Sequence, residues 1–146
     1  MEWTVQGAHA YAYTGGKPFN PALPCVVFVH GAQNDHSVWG LQTRWFAHHG
    51  FSVLAVDLPA HGRSGGAPLQ TVEAMADWVM ALVQTAGVSQ PVIVVGHSMG
   101  SLIALECASR YASRVRRIAL VATAWPMKVS DALLDAALNN TASAID

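Results

Sequence analysis

The chain has 146 residues, 52% hydrophobic and only 12% charged, which excludes a disordered tail or a coiled coil, since both need far more charge. Eight Lys and Arg against nine Asp and Glu leave a formal net charge of -1, so nothing steers the whole molecule toward nucleic acid or an anionic membrane. The length suits one domain with a real core.

No apolar run is long enough to span a bilayer. The start, Met1-Glu2-Trp3-Thr4, lacks the basic flank and apolar stretch of a signal peptide, so a cytoplasmic address is expected, with no membrane or nucleic-acid partner. Cys25 and Cys107 stand far apart without a metal-type spacing. They are expected to be buried, reduced thiols rather than a disulfide or zinc site, and no residue pattern calls for a metal or cofactor.

From Trp3 to Tyr13 the pattern is loosely period two around Gly7, which predicts a hairpin or two short strands. Cys25 to Val29 is a continuous β-branched run, as in a strand buried on both faces. Ser37 to His49 carries Val38, Leu41, Trp45 and Phe46 at helical spacing and stops at Gly50. Phe51 to Val56 is a second buried strand, ending at Asp57.

After a loop rich in Pro and Gly, Thr71 is placed to cap a helix in which Met75, Trp78, Val79, Leu82 and Val83 form one stripe and Gly87 is the stop. Pro91 to Val95 is the third buried strand. Ser98 to Tyr111 predicts a helix with a small-residue ridge at Gly100, Ala104 and Ala108, and Val115 to Ala122 a fourth strand. Alternating units of this kind build an α/β fold, a mostly parallel sheet with helices on both faces. Past Pro126, the stretch from Ser130 to Leu138 opens a further helix.

Ligands of such sheets bind beyond the carboxyl ends of the strands. After the third buried strand stands Gly96-His97-Ser98-Met99-Gly100, a Gly-x-Ser-x-Gly pattern that sets a serine in a tight strand-to-helix turn, at the positive end of a helix. Ser98 is the candidate nucleophile. After the first buried strand comes His30-Gly31-Ala32-Gln33-Asn34, and after the second Asp57-Leu58-Pro59-Ala60-His61-Gly62-Arg63-Ser64-Gly65, where Asp57 is suited to bonding local amides.

Together, and in this order, these motifs resemble the α/β-hydrolase superfamily in its serine-nucleophile branch, over roughly Trp3 to Trp125. The resemblance implies Ser98 as nucleophile toward an ester or similarly activated carbonyl compound, through an acyl-enzyme, with the backbone N–H groups of Ala32 and Met99 as the oxyanion hole. It further implies residues 1–126 as the N-terminal part of the hydrolase core and 127–146 as the start of a cap or lid helix, the fold being truncated before the cap and last strands. Ala60 departs from the glycine frequent there in relatives.

In this family the triad acid and then the histidine follow the serine. Here Glu106, Asp131, Asp135 and Asp146 follow it, but all seven histidines (His9, His30, His36, His48, His49, His61 and His97) precede it. The early histidines are expected to have structural or surface roles, Asp57 a turn role, and Asp131 and Asp135 a solvated helix face. Arg114, Arg116 and Arg117 read as a solvated strand entrance; Trp39, Trp45 and Trp78 read as core, and Trp125 reaches toward the pocket mouth.

Two other readings stand beside this one. A non-catalytic binding module would keep the same pocket without turnover. A dinucleotide-binding unit shares a glycine turn between strand and helix, but the closely spaced glycine pair and the later acidic residue are missing. The fourth strand would leave an exposed sheet edge, which predicts association through it.

Overall fold

The computed structural model describes residues 1–139, so Asp146 lies outside the described residues. The strands are β1 (Glu2–Val5), β2 (Ala8–Tyr13), β3 (Cys25–Val29), β4 (Ser52–Val56), β5 (Val92–His97) and β6 (Val115–Val121). The helices are α1 (Gly40–His48), α2 (Val72–Thr85), α3 (Met99–Arg110) and α4 (Asp131–Asn139), with a 3-10 turn at His36–Trp39 ahead of α1. The order across the sheet is β1-β2-β4-β3-β5-β6. The β1–β2 hairpin joins β4 antiparallel, and the rest of the sheet is parallel.

The parallel core follows from composition. β3 and β4 are buried along their whole length, which is why they read as unbroken apolar runs rather than as alternation. Alternate residues serve opposite layers. Val27, Val29, Leu54 and Val56 meet α2 and α3 on one face, while Val26, Phe28, Val53 and Ala55 meet Trp39 and Phe46 on the other. Each fully buried Leu or Phe in these layers contributes about 2–3 kcal/mol by removal of apolar surface from water.

Helix α2 forms as its sequence predicts: the Thr71 hydroxyl accepts from Ala74 N at 3.1 Å, Glu73 sits in the first turn, and Trp78, Val79, Leu82 and Val83 are buried. Helix α1 differs from expectation. Its buried side is Trp39, Thr43 and Phe46, whereas Leu41 is 82% and Trp45 55% exposed. Asp35 accepts from Ser37 N at 2.7 Å and starts the 3-10 turn that leads into α1; of the expected stripe, Phe46 packs inward while Val38, Leu41 and Trp45 do not. Trp45 stacks on His49 along the outer face, with ring centroids 4.1 Å apart.

Other expectations resolve residue by residue. Trp39 and Trp78 are core. Arg114 is not a solvated entrance residue, because its guanidinium is half-buried and donates to the Val88 carbonyl at 2.7 Å; Arg116 and Arg117 are exposed. Cys25 and Cys107 are free and buried, and burial pushes both thiols up to about 12. Asp131 and Asp135 are exposed on α4. Among the described residues, no helix is long and apolar enough to cross a membrane.

Candidate active site

The motifs after β3, β4 and β5 converge at the carboxyl edge of the sheet. Ser98 joins β5 to α3 with φ 53° and ψ −121°, a backbone state that costs a non-glycine residue on the order of 1–3 kcal/mol. Its amide is anchored to the Val121 carbonyl at 2.9 Å, and its carbonyl accepts from Ser101 N at 2.8 Å and from the Ser101 hydroxyl at 2.5 Å. The flanking glycines are steric requirements. A Cβ on Gly96 would collide with the Gly100 carbonyl, and one on Gly100 with the carbonyls of Val29 and His30. Serine at a helix start ordinarily caps it, yet the Ser98 hydroxyl makes no capping bond.

The loop after β3 crosses the loop after β4. Asp57 is buried and accepts from His36 N at 2.7 Å, from the His36 ring at 2.9 Å and from Arg63 N at 2.8 Å. This is the turn role its position suggested, with His36 as a partner that the sequence did not reveal. Ser64 completes the turn, donating to the Asp57 carbonyl at 2.6 Å and accepting from Tyr11 N at 2.9 Å. Asp35, His36 and Asp57 bring potential metal ligands within 4.8 Å of one another, but the Asp57 oxygens and the His36 Nδ1 are already committed to loop hydrogen bonds. Hydrogen bonds from Ser37 hold the Asp35 carboxyl below its usual range.

Ser98, Met99 and Ala32 line one cavity of about 390 Å³, together with Gln33, Asn34, His97, Leu102, Met127, Val129 and Leu134. The last three lie beyond β6, and no local pattern marks them as pocket wall. Trp125 does not join them: it is 83% exposed and outside the lining. Gln33 and Asn34 give the cavity one polar side, and Leu102, Met127, Val129 and Leu134 an apolar one.

None of the seven histidines is hydrogen-bonded to Ser98 within the described structure. His9 bonds the Arg63 carbonyl, His36 Asp57, His49 the Trp45 carbonyl and His61 the Pro59 carbonyl, while His48 is exposed. His30 is buried, and burial lowers its pKa below the ordinary histidine value. His97 borders the cavity but packs edge-on against Trp39, with its Nδ1 buried and unpaired.

The family profile for the alpha/beta hydrolase fold matches residues 24–141. The chain is 35% identical over 127 residues to a pimeloyl-[acyl-carrier protein] methyl ester esterase of Chromobacterium violaceum, covering 77% of this chain and 45% of that protein. It is 29% identical over 115 residues to the (E)-2-((N-methylformamido)methylene)succinate hydrolase of Acinetobacter baylyi, covering 78% and 40%. A solved thermophilic esterase superposes with a TM-score of 0.79 at 23% identity, over 100% of this chain and 53% of that one. The chain thus spans about half, or less, of the length of these relatives. With the sheet order, the serine turn and the family profile in agreement, the chain belongs to the α/β-hydrolase fold family.

Proposed function

We propose that this chain carries the nucleophile and oxyanion half of a serine hydrolase acting on a small ester-like substrate. Ser98 Oγ attacks the carbonyl carbon, the amides of Ala32 and Met99 receive the developing oxyanion, and expulsion of the alcohol leaves an acyl-serine that water then cleaves. The observation that carries this reading is the strained, uncapped Ser98 at the head of α3, opening into a cavity that Ala32 and Met99 share. Met99 is the first residue of α3, where backbone amides have no partner inside the helix. Residues 1–126 form the core portion of the hydrolase, and the segment from 127 begins a lid over the cavity. The family's base, a histidine after the serine, is missing from this sequence, so turnover by the chain alone is expected to be low.

Treatment with a fluorophosphonate, followed by peptide mass spectrometry, tests the assignment. Labelling confined to the peptide containing Ser98, and lost in Ser98→Ala, is the expected result; labelling elsewhere would overturn it. The absence of a histidine bonded to Ser98 favours a second reading, a binding module that keeps the pocket without catalysis. Saturable binding of an ester or its acid product by a folded chain that resists labelling would establish that second reading.

A further inference from the structure

His30 is fully buried where β3 gives way to the loop carrying Ala32. Its two ring nitrogens have different partners: Nε2 faces Leu58 N at 3.2 Å, and Nδ1 faces the Gly31 carbonyl at 2.7 Å. A backbone amide only donates and a carbonyl only accepts. Nε2 is therefore bare and Nδ1 carries the proton, which assigns a single neutral tautomer to the ring.

The bond to Gly31 fixes more than the ring. The Gly31 carbonyl also accepts from Asn34 N at 3.3 Å, so two donors hold it. In a trans peptide the carbonyl of one residue and the amide of the next point in opposite directions. Anchoring the Gly31 oxygen toward His30 and Asn34 turns the Ala32 N–H the other way. Ala32 lines the Ser98 cavity, and its amide donates to no described group. The far end of the loop is tied by Asp57 to His36 N, so the Asp57-Leu58 pair holds both ends.

We propose that His30, as the neutral Nδ1–H tautomer, is a positioning residue that sets the Gly31–Ala32 peptide plane and thereby presents the Ala32 amide to an oxyanion formed on Ser98. The proposal rests on the reading of Ser98 as nucleophile. It has a pH consequence. A proton added to Nε2 would confront the Leu58 amide with a second donor and open the clamp. Burial disfavours protonation most, and His61, tilted against the ring at 5.0 Å, opposes it too; the Gly31 hydrogen bond and the charges of Asp57 and Asp35 favour it but do not outweigh burial, so the pKa lies below the ordinary histidine value.

The test separates the two nitrogens. Asparagine places its amide N–H near the position of Nδ1, whereas glutamine places a carbonyl near Nε2. His30→Asn keeps a donor for Gly31, and His30→Gln keeps an acceptor for Leu58. The labelling rate of Ser98 by a fluorophosphonate is expected to fall at least tenfold further in His30→Gln than in His30→Asn, with the wild-type rate declining below the His30 pKa. Equal losses in the two folded variants, with the wild type labelled, would overturn the positioning role alone. A folded wild type that is not labelled overturns the nucleophile reading and the proposal with it. If neither variant folds, 15N histidine spectra of the wild type decide: a protonated Nδ1 supports the clamp, and a protonated Nε2 overturns it.

Discussion

Ala60 sits at φ 64° in the loop after β4, where a Cβ is disfavoured by about 1–2 kcal/mol. That strain gives a physical reason to expect glycine to be better tolerated than alanine there. Ala60→Gly is expected to raise the unfolding free energy by about 0.5–1 kcal/mol, the strain relieved exceeding the added chain entropy, as an increased urea midpoint would show. His30 affects stability with the opposite dependence on its environment. Burial lowers its folded pKa below the ordinary 6.5, so just below that pH the unfolded chain binds more protons than the folded one. Its contribution is complete above 6.5 and is lost as pH falls beneath it. Between about pH 7.5 and 5.5, where the carboxylates stay ionised, the urea midpoint of the wild type should fall, and His30→Asn should flatten that slope.

At the scale of elements, α1 shows how a helix can be recognised and still be turned wrongly. Substituting Leu41 by Gln should change stability by no more than about 0.5 kcal/mol, whereas Phe46→Ala, which opens the layer against Phe28, should cost about 2 kcal/mol or more by thermal melting. The reverse ranking would put Leu41, not Phe46, on the inner side of the helix. Of the stripe read from sequence Phe46 packs inward, while Val38, Leu41 and Trp45 face out and Trp39 and Thr43 take the inner side, because helical spacing alone does not say which of two adjacent faces meets the sheet. β3, β4 and α2 were legible because their burial is local information: double-sided apolar runs and a capped stripe. Ser98 was legible as a candidate because a strand-to-helix turn demands glycines at fixed offsets, here Gly96 and Gly100, whereas Ala32 and Met99 came only from the resemblance to the family. Met127, Val129 and Leu134 were not, because their place in the wall depends on how the chain returns over the sheet after β6.

For the whole molecule, the two ends of the sheet are unlike. β1 ends one side as half of a hairpin, whereas β6 ends the other beside β5 with no described strand on its outer edge. On the face served by α1, cover reaches β3 and β4 but thins toward β5, where Ile93, Val95 and His97 are only half-buried against the full burial of Val92 and Val94. The neighbouring Ala119 and Val121 of β6 are exposed. A parallel sheet in this family is ordinarily covered on both faces, and an uncovered apolar edge with unpaired backbone groups is a template for pairing with another strand. The isolated chain is therefore expected to associate in a concentration-dependent way, its sedimentation coefficient rising through the micromolar range. Ala119→Lys, which puts a charge on that exposed edge away from the Ser98 cavity lining, should shift the chain toward monomer while leaving its melting cooperative. A wild-type chain that stays monomeric across that range would show that the β6 edge is protected in solution.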